Sequence, residues 1–213
     1  MERIRIIRQN MKNKVGLFCG TFNPIHNGHL IMCSYILEHY DVDTIRLVVS
    51  PDSPFKKHKY LLPFRKRVLL CNTAVINDDR IKVSTVEDTL PKPAYTYQTL
   101  KYYKEKYGDV AEFILIMGAD NLMRLAKFKN ASYIFANFKV MICPRNGIDC
   151  NKYMDEICKK FKDTGVYGLE ILESIPNVEL SSTLIRNEVL EGKSIKYYVP
   201  EKIEKMIEKE YKV

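Results

Sequence analysis

The 213-residue chain is 46% hydrophobic and 28% charged, which suits one domain able to bury its own core and excludes a disordered, collagenous or low-complexity polypeptide. Lys and Arg number 34 against 26 Asp and Glu, and the resulting +8 favours anionic partners without choosing among phosphates, nucleic acid and acidic lipid headgroups. The six cysteines form no C-x-x-C pair and lie mostly in apolar segments, the pattern of reduced thiols in a cytoplasmic protein.

Residues 1–14, MERIRIIRQNMKNK, stay charged, lack the apolar core of a secretory signal, and read as an N-terminal extension or edge element. VGLFC (15–19) then predicts a buried strand. It opens the longest stretch free of Asp, Glu, Lys and Arg, residues 15–37, but Asn23, Pro24, His26, Asn27, Gly28 and His29 interrupt that stretch, so it is no membrane span. A helix is predicted over 28–40, a strand at TIRLVV (44–49), and a helix over 63–76 with Pro63 as its first helical residue. IKVSTV (81–86) predicts a strand and Thr96 the N-cap of a helix over 97–107. EFILIM (112–117), a broken helix over 121–135, KVMIC (139–143), a helix over 151–161 and LEIL (169–172) continue the alternation.

After Leu172 the texture changes to SIPNVELSS, a helix over 183–191 closed by Gly192, and a last helix over 200–211 in which Glu and Lys mix as on a solvated face. Apolar strands separated by helices predict an α/β fold, a doubly wound parallel sheet covered on both faces. The domain reading is 15–180 for the sheet domain and 181–213 for a C-terminal helical subregion of the same domain.

The chemistry concentrates in VGLFCGTFNPIHNGHLIMCSYIL. A strand ends at Cys19, a glycine-containing turn follows, and a helix begins near Asn27, so backbone amides and the positive helix end meet at the carboxyl edge of the sheet. His26 and His29, two of only four histidines, lie three apart at the first helical turn, so both imidazoles can face the same anion. His39 and His58 read as structural. Zinc would need a third ligand, which is not at ligand spacing here, and no Walker G-x-x-x-x-G-K-[ST] occurs.

G-T-F-N-P-I-H-N-G-H (20–29) resembles the G-x-F-x-P-x-H-x-G-H signature of the nucleotidylyltransferase superfamily, and S-S-T-L-I-R (181–186) resembles its I-S-S-T-x-I-R element. PAYTYQTL (93–100), LIMGADNLMRLAKFKN (115–130) and SPFKK (53–57) are similar, in order, to segments of the bacterial nicotinate-nucleotide adenylyltransferases. The resemblance implies a Rossmann-like fold and transfer of AMP from ATP to nicotinate mononucleotide, giving deamido-NAD and pyrophosphate in NAD biosynthesis, with no covalent intermediate. It implies catalytic roles for His26, His29 and Arg186. ATP would also meet Gly20, Thr21, Phe22, Gly118, Asp120, Ser182, Thr183 and Ile185, and the acceptor would meet Asn23, Lys57, Thr96 and Phe128. Mg2+ would arrive with ATP, without a dedicated metal cage in the protein.

The chain departs from the family pattern at Cys19 (usually Gly), Asn23 and Gln98 (usually Asp), Phe128 (usually Trp), and in CPRNG (143–147) where R-P-G is usual. Changes at 98, 128 and 143–147 touch the acceptor side. Adenylyl or cytidylyl transfer to another acceptor, such as nicotinamide mononucleotide or phosphopantetheine, therefore stays open, as do a nucleotide sensor and a basic nucleic-acid-binding module. No nucleic-acid recognition motif supports the last. Neither a nucleic acid nor a membrane is expected as a partner, and a homo-oligomer is left open.

Overall fold

The computed structural model describes residues 12–51, 60–145 and 147–211. The apolar runs form six parallel strands: β1 (Asn13–Gly20), β2 (Thr44–Val49), β3 (Ile81–Ser84), β4 (Ala111–Gly118), β5 (Lys139–Cys143) and β6 (Gly168–Ile171). Their order in the sheet is β3-β2-β1-β4-β5-β6. The helices between them are α1 (Asn27–His39), α2 (Phe64–Ala74), α3 (Val86–Thr89), α4 (Thr96–Tyr107), α5 (Ala119–Leu125), α6 (Ala131–Asn137) and α7 (Cys150–Lys160), and the chain closes with α8 (Ser182–Leu190) and α9 (Glu201–Tyr211). The expected doubly wound α/β fold is therefore present. Among the described residues no helix is long and apolar enough to cross a membrane.

Strand alternation divides the apolar side chains between two cores. Phe18, Ile45, Leu47, Ile114 and Ile116 face one side and pack with Ile36 of α1, Leu70 of α2, Ile185 of α8 and Ile203, Ile207 and Tyr211 of α9. Leu17, Val48, Phe113, Leu115 and Met117 face the other and pack with Leu100 of α4, Leu122 of α5, Phe135 of α6 and Ile157 of α7. The central strands β1 and β4 are buried on both faces, which is why they read as near-continuous hydrophobic runs. Gly16 in the central strand β1 has no room for a side chain, since a Cβ would collide with Ile116 Cδ1 on β4.

Several boundaries differ from expectation for local reasons. Pro63 is the N-cap of α2, with an extended ψ of 141°, and not its first helical residue. Tyr95, and not Thr96, caps α4: the Gln98 Oε1 atom reaches back to accept from the Tyr95 N–H at 2.7 Å, so the helix starts one residue early. β3 stops at Ser84 because α3 begins at Val86. The break expected within 121–135 is at Asn130, whose φ of +53° separates α5 from α6.

Order 3-2-1-4-5-6 puts the reversal of winding between β1 and β4, where connections leave toward opposite faces and a crevice opens at the carboxyl ends. Gly20 ends β1 beside Val49, and Gly118 ends β4 beside Cys143. The turns that follow these two glycines are the floor of the site.

Candidate active site

A cavity of about 590 Å³ occupies this crevice and is lined by the β1–α1 turn, the ends of β4 and β5, the start of α4, the α5–α6 connection and the start of α8. The β1–α1 turn is held in a shape that depends on specific residues. Phe22 adopts a φ of +46° and buries its ring edge-on against Phe18 (5.6 Å) and His29 (5.1 Å). A Cβ on Gly20 would lie 3.0 Å from the Phe22 ring, so the position leaves no comfortable space for one. On the far side of the turn, the Asn27 N–H, otherwise a free donor at the helix start, donates to Tyr198 O at 2.9 Å, and the Asn27 amide donates to Tyr197 O at 2.6 Å.

His26 and His29 stack, with ring centroids 3.7 Å apart and planes 25° from parallel. The close approach of His26 requires Gly28, because a Cβ there would stand 3.0 Å from His26 Nδ1. The His26 backbone N–H donates to His29 Nδ1 at 3.3 Å, so the neutral His29 ring carries its proton on Nε2. Burial holds His26 down to about 3, helped by the Arg145 guanidinium, and holds His29 well below its ordinary value, helped by His26 and Arg145. Both rings are thus neutral near pH 7 and each carries one N–H. The buried Nδ1 atom of His26 has no hydrogen-bond partner among the described residues.

The second motif folds onto the first. Ser181 caps α8 by accepting from the Leu184 N–H at 3.1 Å, which leaves Ser182 to donate its hydroxyl to Pro24 O at 2.8 Å. Arg186, one turn further along and 8% exposed, donates Nη1 to Asn23 O at 2.7 Å and Nη2 to Thr183 Oγ1 at 3.1 Å. The guanidinium therefore shares the cavity lining with His26, His29, Ser182 and Thr183. Ile185 faces the opposite way, fully buried in the hydrophobic core, and does not line the cavity.

Gly118 and Asp120 line the cavity at the end of β4, and Asp120 pairs with Arg145 at 3.0 Å. Tyr95, Thr96 and the half-buried Phe128 also line the cavity, as do Arg124, Lys127 and Lys129, with Lys129 Nζ 5.1 Å from the Tyr95 ring centroid. Lys57 lies outside the described residues. Asn23 lines the turn, but its side chain is engaged by the protein: Nδ2 donates to Tyr60 O (2.9 Å), and Oδ1 accepts from Leu62 N–H (3.0 Å) and Tyr211 O–H (2.7 Å). Among the described residues no group of three or more His, Cys, Asp or Glu is placed to hold a metal ion. Among the described residues two carboxylates line the cavity: Asp120 pairs with Arg145, and Glu87 accepts from the Thr99 hydroxyl at 2.9 Å.

Three contributors escaped sequence reasoning. Arg67, fully buried on α2, donates to the carbonyls of Leu62, Thr21, Ser50 and Pro51 at 2.6–2.9 Å and so bolts the β1–α1 turn to the end of β2. Its signal was weak, since an Arg in an amphipathic helix reads as surface. Arg145 sits in the CPRNG segment and adds a cation close enough to act on both histidines. Glu87 is a buried carboxylate whose pKa burial pushes up, against the pull of hydrogen bonds from Ser50 and Thr99.

The sequence pattern of the cytidylyltransferase-like family matches residues 17–188, a span that holds both motifs. The chain is 40% identical over 198 residues to a "probable nicotinate-nucleotide adenylyltransferase" of Christiangramia forsetii, covering 93% of this chain and 97% of that one. It is 40% identical over 190 residues to the protein of the same name in Flavobacterium johnsoniae, covering 89% and 93%. Among solved structures, the nicotinic acid mononucleotide adenylyltransferase of Plasmodium falciparum complexed with NaAD superposes with a TM-score of 0.70 over 91% of this chain and 96% of that one. At 18% identity that is a likeness of fold.

Proposed function

The chain belongs to the cytidylyltransferase-like family, and on that premise we propose that it transfers AMP from ATP to nicotinate mononucleotide, forming deamido-NAD and releasing pyrophosphate. A phosphate oxygen of the acceptor attacks the α-phosphorus of ATP; the new P–O bond forms as the bond to the β-phosphate oxygen breaks, and pyrophosphate leaves with that electron pair. Such a transfer depends on positioning and on donors for the charge that develops on phosphate oxygens, so the site needs no nucleophilic side chain. The Cys19 thiol, pushed well up by burial, fits that requirement by being an unsuitable nucleophile.

The observation that carries the proposal is that His26, His29 and Arg186, from opposite ends of the chain, line one cavity. In this reading His29 donates Nε2–H to the α-phosphate region, His26 supports it from below, and Arg186, with Ser182 and Thr183, holds the outer phosphates through a planar fork. The backbone of Gly20, Thr21 and Phe22 cradles the nucleotide, and Asp120 meets ribose hydroxyls after exchanging its partner Arg145. Mg2+ would come with the triphosphate and would shield its charge. Thr96 and Phe128 take the acceptor, with Phe128 stacking on the pyridine ring. The cations Arg124, Lys127 and Lys129 that line the same cavity suit an acceptor bearing a carboxylate.

Residues 15–180 and 181–213 form one domain in this reading, because α8 and α9 share a core cluster with β1, β2 and α1. A cytoplasmic site of action accords with six unpaired cysteines. The test supplies purified protein with ATP or CTP and each of nicotinate mononucleotide, nicotinamide mononucleotide and phosphopantetheine, and measures pyrophosphate. The expected result is release with ATP and nicotinate mononucleotide above all other pairs; a different preferred pair would replace the assignment.

A further inference from the structure

The mechanism above uses Arg186 but leaves open what places its guanidinium. α9 supplies part of the answer from the far end of the chain. The Tyr211 hydroxyl, on a residue 4% exposed, donates to Asn23 Oδ1 at 2.7 Å across 188 residues of sequence. Asn23 is where three parts of the protein meet. Its side chain is clamped by Tyr60 O, Leu62 N–H and the Tyr211 hydroxyl, while its own carbonyl is the seat for Arg186 Nη1 at 2.7 Å. Whatever fixes the Asn23 side chain therefore also fixes the carbonyl that aims the guanidinium. The phenol is a dependable donor, because burial pushes its pKa up against the pull of the Arg186 and Arg67 charges.

We infer that Tyr211 is a positioning residue for the triphosphate site, holding Asn23 so that its carbonyl keeps Arg186 aimed into the cavity. The inference rests on the assignment of that cavity to ATP. It makes α9 a working part of the site, for which simple packing through Ile203 and Ile207 would not have needed a hydroxyl at 211. Removing the hydroxyl leaves Asn23 Oδ1 bonded to the Leu62 N–H, so no polar atom is orphaned and the fold survives Tyr211→Phe.

A second variant separates aiming from general loosening of α9. Lys66 on α2 pairs with Glu210 at 2.5 Å, next to Tyr211 in sequence, so Lys66→Gln weakens the attachment of α9 while sparing the hydroxyl link. Calorimetric titration of the full chain with Mg–ATP measures affinity in wild type and both variants, and steady-state rates give the acceptor KM. Tyr211→Phe is expected to weaken ATP about fivefold, the equilibrium value of one net neutral hydrogen bond, and to change the acceptor KM by less than about twofold. Lys66→Gln is expected to leave ATP affinity within about twofold of wild type. Equal ATP affinity in wild type and Tyr211→Phe, or equal weakening by both variants, overturns the positioning role alone. Failure of the wild type to bind ATP would overturn the site assignment and this inference together.

Discussion

Gly28→Ala separates activity from stability in a way that tests the histidine geometry. The new Cβ would stand 3.0 Å from His26 Nδ1, 3.1 Å from its Cε1 and 3.5 Å from Leu180 Cβ. The first two distances are a few tenths of an ångström inside a comfortable contact, so the His26 ring must shift by about that much, and the His29 ring stacked 3.7 Å from it follows. A misplacement of about 1 Å costs about 100-fold in rate when it reaches the reacting groups, so a shift of a few tenths is worth roughly 3- to 10-fold in kcat. Against this, Gly→Ala within the first turn of α1 raises helix propensity, by up to about 1 kcal/mol, and offsets the contact strain. The expected variant melts within about 3 °C of wild type yet turns over several times more slowly, read by pyrophosphate release at saturating ATP and by a thermal melt of the same sample. Wild-type kcat in a folded Gly28→Ala protein would refute the claim that the spacing of the two rings matters.

Other outcomes follow from the same geometry. His29→Ala removes one donor to the developing charge and should lower kcat by about two orders of magnitude with little change in acceptor KM; near wild-type turnover would remove His29 from the mechanism. Arg186→Lys keeps a charge but loses the fork that spans Asn23 O and Thr183 Oγ1, so ATP affinity should not return to the wild-type value on titration. His26 has a folded pKa of about 3 against 6.5 for the free side chain, so the unfolded chain binds the extra proton first. The stability this contributes is complete above pH 6.5 and is lost as pH falls from there toward 3. Glu87, with a raised pKa, works in the opposite direction, so the informative comparison is wild type against His26→Asn. Melting temperatures between pH 7 and pH 4.5 should fall more steeply in wild type, and parallel curves would contradict the buried neutral ring.

The parts of this protein that were legible in its sequence are those whose causes are local or periodic. β2 and β5 span the predicted residues, because their apolar side chains fill the buried positions while Arg46 and Lys139 keep partial exposure. The β1–α1 turn was legible from residue identity: glycine at 20 and 28 meets a steric need, and the imidazoles at 26 and 29 stack as a pair. Start points were less so. Thr96 looked like a cap, yet the Gln98 side chain decided the matter by reaching the Tyr95 N–H.

Least legible were contributors whose partners are carbonyls or side chains far away in the chain. Arg67 is defined by bonds to Thr21, Ser50 and Pro51, and Tyr211 by a bond to Asn23, and nothing near either residue in sequence announces those partners. Arg145 illustrates the converse. CPRNG read as a scrambled motif, but the fold still delivers its guanidinium to the cavity wall beside Asp120.

The most direct measurement is a crystal structure of the protein with a non-hydrolysable ATP analogue. The triphosphate is predicted to lie in the cavity between β1 and β4, with a phosphate oxygen within hydrogen-bond reach of His29 Nε2 and the outer phosphates against Arg186. A triphosphate bound elsewhere, or bound here with Arg186 turned away from it, would contradict the account.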